Sequence, residues 1–468
     1  MIIVLAGKQI YGSQNTDAKM KKIVIIGAGS LVFSSRLTAD LLSYPLLADS
    51  HFALVDIDPE RLEYAGQIVS KICEQGPYPH ASYSLHQDRT TALVDADFVI
   101  SSILVGGYQA IQAEIDIPKK YGVCQAIGDT LTPGGIMRCL RTLPVQAALA
   151  RDILNLCPDA LLLNYTNPMA MLCWGMSEAC PELQLVGLCH SVQGTTEQWA
   201  ERLGLSIDEV QFRCAGINHQ AWITEFKAGS SDLLADLRRL AETPEIWRHD
   251  TSRMEYIKHF GYPVTEASGH NSEYSPWFRK NAAMVNRYCP GGSWNGAPGF
   301  IKELYDRPDW RKTMRKMASW ETPISLERSI EYGSQIIHAV TSNQPEIIYG
   351  NVPNHGLIDN LPEDACVEVA CQVDDKGIQP IPFGPLPEHL AAINRNQINV
   401  QRLAVLASQQ ADPELVFQAM CLDPLTASIL TLDEIRSMTR ELLEAHLDVL
   451  PEEFKHRRLA EKPLLYRL

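Results

Sequence analysis

Lys22-Ile-Val-Ile-Ile-Gly-Ala-Gly-Ser30 is the stretch that decides the fold of this chain of 468 residues. Its apolar run at 23–26 predicts a buried strand, and Gly27 and Gly29 predict a tight turn into a helix. Beyond it, strand-like runs at 51–55 and 98–102 alternate with helical spacing at 31–43 and 59–73. Strands that alternate with helices pair in parallel through right-handed crossovers. The sequence therefore predicts an α/β fold with an open, mostly parallel sheet.

The turn after the first strand has the chemistry of a dinucleotide-binding loop. Gly27 permits the turn, and Gly29 lets a pyrophosphate approach the backbone at a helix N-terminus beside Ser30, although the third glycine of the usual fingerprint is absent. Asp56 ends the second strand, where a carboxylate binds both ribose hydroxyls and repels a 2′-phosphate. These residues predict an NAD site. The alternative is a simple tight turn with Asp56 or Asp58 capping the next helix.

The whole composition limits the classes of partner. The chain is 46% hydrophobic and 21% charged, as ordinary globular proteins are, and its formal net charge is −15. Such an acidic surface repels nucleic acid and anionic membranes, so small molecules are the expected partners. Twelve cysteines are scattered without a framework spacing and no signal segment is evident. We therefore expect a cytoplasmic protein with reduced cysteines.

The pattern of the chain predicts two domains after a short extension. Residues 1–19 fit the rest poorly and are treated as an extension of unknown role. Residues 20–212 predict an NAD-binding, Rossmann-like domain. Residues 213–468 predict a mixed α+β domain for catalysis, substrate binding and oligomerisation, and the whole resembles the lactate/malate dehydrogenase architecture. We expect a homodimer or a homotetramer.

Four polar clusters follow predicted strands in the middle of the chain. Ligands of open parallel sheets gather beyond the carboxyl ends of the strands, so these clusters are candidates for a site. Each also has an ordinary interpretation, such as a turn, a small buried cysteine or a core histidine. No pair of metal ligands is closely spaced, so a metal site would have to be assembled from distant segments. The clusters lie at 127–138, 163–168, 187–191 and 215–220.

Taken in order, the motifs resemble glycoside hydrolase family 4, and within it the bacterial α-galactosidases. The likeness extends from about Lys22 to the helices predicted near the C-terminus. The motifs are Gly27-Ala-Gly-Ser30, Asp56-Ile-Asp58, Gly128-Asp-Thr130, Pro133-Gly-Gly-Ile-Met-Arg138, Asn164-Tyr-Thr-Asn-Pro-Met-Ala170, Gly187-Leu-Cys-His-Ser191 and Gly216-Ile-Asn-His219.

The resemblance implies an α-galactosidase that uses NAD and one divalent metal, expected to be manganese. The family stands outside the two-carboxylate scheme of most glycosidases. A hydride moves from sugar C3 to NAD, a base removes the acidified proton at C2, and the aglycone leaves from C1. Water then adds and the hydride returns, so no NAD is consumed. The alternatives are the same chemistry on an α-glucoside or α-galacturonide, an NAD-dependent hydroxy-acid dehydrogenase, and a non-catalytic NAD-binding subunit.

The resemblance also implies roles for individual residues. Cys189 and His219 would bind the metal, with substrate hydroxyls and water completing its shell. Asp129 would be the general acid, and Tyr274 would be the base at C2 if nearby metal charge lowers its pKa. Asn164 and Asn167 would hold sugar hydroxyls or the nicotinamide ribose. Arg138 would contact the sugar or fix Asp129.

Some neighbouring residues allow two interpretations. His190 is assigned a supporting role only. Trp277 and Trp294 suit either a sugar face or the core. The adjacent cations Arg279 and Lys280 could pair with a substrate carboxylate or phosphate, but an ordinary exposed basic pair is the favoured interpretation.

Overall fold

The computed structural model describes residues 20–30, 33–289, 310–321 and 323–460. The predictions for residues 1–19 and for Trp294 lie outside these described residues. Within them the chain forms an α/β structure around a single twelve-stranded sheet. The strands are β1 (Lys22–Ile26), β2 (His51–Val55), β3 (Ser82–His86), β4 (Phe98–Ser101), β5 (Leu161–Asn164), β6 (Leu185–Leu188), β7 (Val210–Ile217), β8 (Gln220–Ala228), β9 (Ser231–Asp232), β10 (Glu346–Pro353), β11 (Cys366–Asp374) and β12 (Gly377–Pro380).

Helices cover the sheet and form most of the C-terminal part. Three short 3-10 helices lie at Pro45–Leu47, Ile207–Glu209 and Ser272–Tyr274. The α-helices of the described residues are α1 (Phe33–Leu42), α2 (Pro59–Gln75), α3 (Arg89–Leu93), α4 (Gly107–Lys120), α5 (Thr132–Leu156), α6 (Met169–Ala179), α7 (Ser191–Arg202), α8 (Leu234–Ala241), α9 (Pro244–His249), α10 (Thr251–Phe260), α11 (Ser268–Asn271), α12 (Ala282–Tyr288), α13 (Trp310–Ala318), α14 (Tyr332–Ser342), α15 (Glu388–Gln410), α16 (Pro413–Leu422), α17 (Pro424–Ala427), α18 (Leu432–Ala445) and α19 (Glu452–Lys455).

The first six strands are parallel, as the alternation of strand and helix signals predicts. Their order is β3-β2-β1-β4-β5-β6, so the chain reverses direction across the sheet between β1 and β4. The central strands are buried on both faces, which explains their continuous apolar runs. Asp58 caps α2 by accepting the N–H groups of Glu60 and Arg61, as its position before Pro59 predicts. The predicted Rossmann-like fold is confirmed.

The second half of the chain continues the same sheet with antiparallel strands. β10 pairs with β6, β11 with β10, and β7 with β11, so two late strands lie between β6 and β7. The predicted boundary at residue 212 falls inside β7. The hydrogen-bonded sheet continues across this boundary, so the division into two domains stays a prediction.

The predicted helical tail is present as α15 to α18. α15 runs across the first half and packs against α5 and α6. Its buried face includes Leu390, Ile398 and Val405, which join the same apolar core as the strands of the first half. Among the described residues, no helix combines the length and the apolar character needed to cross a bilayer.

Candidate active site

The dinucleotide loop is shaped by two glycines that leave no room for a side chain. Gly27 has φ +86°, and a Cβ there would lie 2.3 Å from the Ser102 carbonyl oxygen. A Cβ on Gly29 would lie 2.6 Å from a carboxylate oxygen of Asp56. The loop before α1 therefore exposes backbone without side chains at these two positions. An open backbone at this position fits a dinucleotide phosphate.

Asp56 is held rigidly at the end of β2. One of its carboxylate oxygens accepts the N–H of Gly29 at 2.8 Å, and the other accepts the N–H of Asp58 at 2.9 Å. Each oxygen keeps a second acceptor site, which can receive a ribose hydroxyl. Gly27, Gly29, Ser30 and Asp56 are thus brought together at one edge of the sheet, as the NAD prediction requires.

A row of residues across four strands positions the metal candidates. Gly187 of β6, Asn351 of β10, Glu368 of β11 and Gly216 of β7 lie side by side in register. The Asn351 amide donates to the Gly187 carbonyl and to Glu368, each at 3.3 Å. Cys189 follows two residues after Gly187, and His219 follows three after Gly216. The register of the sheet therefore brings these distant residues to one place.

Three donor atoms meet there, and one of them comes from a residue that the sequence did not indicate. The side chains of Cys189, His219 and Glu266 each offer an atom within 4.8 Å of the other two. Glu266 Oε2 lies 3.7 Å from Nε2 of His219. A thiol, an imidazole and a carboxylate are together a plausible donor set for a divalent transition metal. The residues therefore fit the metal that the sequence analysis expects.

The hydrogen bonds of His219 indicate which ring nitrogen faces the metal. Thr130 donates its hydroxyl hydrogen to Asp129 at 2.8 Å, and the same oxygen lies 2.8 Å from Nδ1 of His219. With its own hydrogen committed, the Thr130 oxygen accepts one from Nδ1. Nε2, which lies 3.7 Å from Glu266 Oε2, then carries the free lone pair, the arrangement usual for a metal-binding histidine.

A second group, Asp129, His219 and His270, also has its donor atoms within 4.8 Å. Burial alone would lower the pKa of His270, but the Asp129 and Glu266 carboxylates raise it well above its ordinary value. The Nε2 of His270 is also engaged by the Asp129 carboxylate at 3.0 Å and by the Tyr274 hydroxyl at 2.5 Å, so it has no free lone pair for a metal. Because Nδ1 of His219 is also engaged by Thr130, we assign the metal position to Cys189, His219 and Glu266.

The protonation of these three groups suits a divalent cation. Burial lowers the pKa of His219 to about 4, so its imidazole is neutral. Burial raises the pKa of Cys189 to about 12. For Glu266, burial is outweighed by His270 and His219, which lower its pKa to about 2. In the metal-free protein the set is a thiol, a neutral imidazole and a carboxylate, and metal binding releases the thiol proton.

Asp129 lies deep in the site between polar partners. Its oxygens contact His270 Nε2 at 3.0 Å and the Asn167 amide at 3.0 Å. Burial would raise its pKa, but His270 and Arg138 hold it well below its ordinary value. Asp129 is therefore ionised in the ligand-free site. To act as a general acid it must first receive a proton, and His270 is the nearest carrier.

Tyr274 meets the same histidines. Its hydroxyl lies 2.5 Å from His270 Nε2 and 3.4 Å from His219 Nδ1. Burial and the carboxylates of Glu273 and Asp129 raise its pKa well above the ordinary value. The ligand-free site thus holds a neutral phenol. The predicted role as a base needs added positive charge nearby, and the metal position beside His219 would provide it.

Glu273 is a buried carboxylate that the sequence analysis missed, although it adjoins Tyr274. It accepts the backbone N–H groups of Ala126, Ile127 and Gly128 at 2.6 to 3.1 Å. These bonds fix the loop that ends at Asp129. Because the 3-10 helix Ser272–Tyr274 carries both Glu273 and Tyr274, one short segment positions the predicted acid and the predicted base.

The predicted sugar-binding residues differ in what they can reach. Asn167 has a buried Oδ1 without a partner among the described residues, so it can receive a ligand hydroxyl. Asn164 uses its Oδ1 for the Thr166 N–H and its amide for the Thr166 carbonyl, each at 3.1 Å. We infer that Asn164 shapes the loop that carries Asn167. Arg138 is buried and acts electrostatically on Asp129, in line with the predicted role of fixing it.

The remaining candidates lie outside this cluster. His190 has a side chain 60% exposed and lies 3.9 Å from Glu331. Trp277 packs against Phe260 and Tyr256 in an aromatic cluster, which favours the packing interpretation.

The favoured interpretation of Arg279 and Lys280 as an exposed pair is wrong for the arginine. Arg279 is fully buried and donates to the Cys124 carbonyl at 2.6 Å and to Ser272 at 3.0 Å. Its guanidinium therefore holds two loops together, while Lys280 is exposed.

Comparison with known proteins gives concordant matches over most of the chain. The sequence profile of "Family 4 glycosyl hydrolase" matches residues 22–205, and that of "Family 4 glycosyl hydrolase C-terminal domain" matches residues 214–426. An α-galactosidase of Bacillus subtilis (strain 168) is 42% identical over 446 residues, covering 92% of this chain and all of the relative. An α-galactosidase of Rhizobium meliloti (strain 1021) is 36% identical, covering 92% of this chain and 89% of the relative.

Solved structures agree on the fold. A 6-phospho-α-glucosidase from gut microorganisms, in complex with NAD and Mn²⁺, superposes with a TM-score of 0.77. The superposition covers 93% of this chain and all of that one at 20% identity.

Proposed function

Since this chain belongs to family 4 of the glycosyl hydrolases, we propose that it is an α-galactosidase acting on terminal α-D-galactosides with NAD and a divalent metal, manganese being the expected one. The observation that carries this proposal is the convergence of Tyr274, His219 and Asp129 beside Cys189, at the sheet edge that also carries the dinucleotide loop. A hydroxy-acid dehydrogenase needs no such thiol-imidazole pair.

Each residue has a part in the proposed reaction. When bound, NAD would supply a reversible hydride acceptor for the sugar, and a divalent metal held by Cys189 and His219 would supply positive charge. Tyr274 takes the proton from C2. Asp129 receives a proton from His270 and then donates it to the leaving oxygen at C1. Asn167 holds a sugar hydroxyl with its unpartnered Oδ1 and orients Asp129 with its amide.

The choice of sugar rests on the two α-galactosidase relatives and on the charge of the site. A galacturonide would need a cation for its carboxylate. Arg279, which the sequence offered for this purpose, is buried and bonded to protein groups. His270 is a cation within the described site, but it is already flanked by the Asp129, Glu266 and Glu273 carboxylates. Arg138 beside Asp129 is a further buried cation, so the charge of the site adds only that Arg279 and His270 are engaged by protein groups, and the two α-galactosidase relatives carry the choice of a neutral hexoside.

The test is a panel of aryl glycosides assayed with NAD, Mn²⁺ and a thiol. The panel contains the α-galactoside, the α-glucoside, the α-galacturonide and a 6-phosphoglycoside. We expect the α-galactoside to be cleaved fastest, without accumulation of NADH. In deuterated water the released galactose should carry deuterium at C2, because the elimination exchanges that proton and direct hydrolysis at C1 does not. A steady rise of NADH, or product without label at C2, would contradict the proposal.

A further inference from the structure

The two carboxylate oxygens of Glu266 have different partners at the metal position. Its Oε2 lies 3.7 Å from Nε2 of His219, the ring nitrogen that Thr130 does not contact. Its Oε1 lies 3.7 Å from His270 Nδ1 and accepts the N–H of Ala267 at 2.8 Å. One carboxylate oxygen is thus anchored, and the other is presented to the imidazole and the Cys189 thiol.

The backbone around Glu266 is built to hold it there. The preceding residue, Thr265, donates its N–H to the Ala221 carbonyl at 2.9 Å and accepts the Ala221 N–H on its hydroxyl at 3.1 Å. Ala221 lies two residues after His219 on β8, so Glu266 and His219 are fixed to the same hairpin. Glu266 itself has φ +75°, a left-handed conformation that favours glycine. A glutamate in that conformation indicates that the direction of its side chain matters.

We propose that Glu266 is a third protein ligand of the divalent metal, together with Cys189 and His219. The inference deepens the proposed function and rests on its metal site. It leaves fewer coordination positions for sugar hydroxyls and water than a set of two protein ligands would. An anionic oxygen ligand beside a thiolate also shifts the site toward harder cations such as Mn²⁺.

The test measures Mn²⁺ binding directly, without sugar or NAD. Metal-free protein is titrated with Mn²⁺, and free Mn²⁺ is followed by electron paramagnetic resonance. Glu266→Gln keeps the size of the side chain but removes its charge and one acceptor oxygen. We expect its Kd for Mn²⁺ to rise by at least about 10- to 100-fold, the range already found when partners of metal ligands are removed.

The matched control is Glu331→Gln, which removes a buried carboxylate that faces His190, at 3.9 Å, but belongs to neither metal-binding group. Its Kd should stay within about threefold of the wild-type value. A Mn²⁺ affinity of Glu266→Gln equal to wild type would overturn the proposal. An equal loss in both variants would also overturn it, because charge alone would then explain the effect.

A second measurement covers failure of a variant to fold. In the Co²⁺-loaded protein, the thiolate-to-cobalt absorption band should persist in Glu266→Gln, since Cys189 still binds. If both that band and the far-UV circular dichroism of the folded protein are lost, Glu266→Asp replaces Glu266→Gln in the test. This substitution keeps the charge and shortens the reach of the carboxylate. Wild-type Kd in that variant would overturn the proposal, and a weakened Kd would support it. A wild-type protein that binds Mn²⁺ but cleaves no α-galactoside would refute the proposed function alone.

Discussion

The dinucleotide loop and the metal pocket lie at the same edge of the sheet but are built in different ways. The loop uses the ends of two adjacent strands and would bind the cofactor through backbone without side chains, with Asp56 and Arg61 as the charged groups that contact Gly29. The pocket collects side chains from five separate segments and buries carboxylates and histidines against each other. Changes in the loop should therefore act on the cofactor alone, while changes in the pocket should act through a shared network of charge.

The sharpest expected contrast comes from Tyr274→Phe. The variant keeps the ring and its packing but loses the oxygen that would take the C2 proton. The rate of α-galactoside cleavage should fall by about two to four orders of magnitude, the usual contribution of a positioned acid–base group. NAD affinity, followed by quenching of protein fluorescence, should stay within about twofold of wild type. Near-normal turnover would remove Tyr274 as the base and make His270 the next candidate.

The converse change is Asp56→Ala in the loop. NAD affinity should weaken by about 1.5–3 kcal/mol, the cost of losing hydrogen bonds to a charged group. Mn²⁺ affinity should not change, because Asp56 belongs to neither metal-binding group. Wild-type enzyme that used NADP as well as NAD would contradict the placement of Asp56 on the ribose. A parallel loss of Mn²⁺ binding would contradict the separation of the two regions.

The smallest expected effect concerns Glu368, beneath the pocket. Burial raises its pKa to about 7, with Asn351 and Asn218 only partly offsetting it. A raised pKa in the folded state means that stability is full below the ordinary value near 4.5 and is lost as pH rises toward 7. At pH 8 the charged form of Glu368 should therefore lower the stability of the folded protein.

Glu368→Gln should remove that loss of stability. Urea unfolding of the metal-free proteins should show a variant more stable than wild type at pH 8 and equal to it near pH 4.5. A stability difference that does not depend on pH would show that Glu368 does not titrate in this range.

The contrast between the two regions also explains what the sequence could predict. Local features have a recognisable sequence pattern, and the structure agrees with the positions predicted from it. These features are strand β1, the glycines after it, Asp56 and the cap at Asp58. Carboxylates give no such signal, because a buried glutamate and a solvated one look alike in a sequence. Glu266, Glu273 and Glu368 were missed for this reason.

A weak signal for two of them was present. The segment from Glu266 to Tyr274 is dense in polar and charged residues and shows no helical period, which is unusual for a plain surface loop. For Arg279 the error was different, since burial of a cation depends on carbonyl groups that only the folded chain brings together.

The strand order has a consequence for the time course of synthesis. β10 and β11 lie between β6 and β7, so the hairpin that carries His219 cannot take its place beside Cys189 until residue 374 has left the ribosome. That is about 150 residues after His219, which at ~5–20 residues per second is roughly 8–30 s. During that interval the thiol of Cys189 lacks His219 and Glu266, its neighbours in the folded chain. We therefore expect this thiol to react with an oxidant more readily in the growing chain than in the folded one.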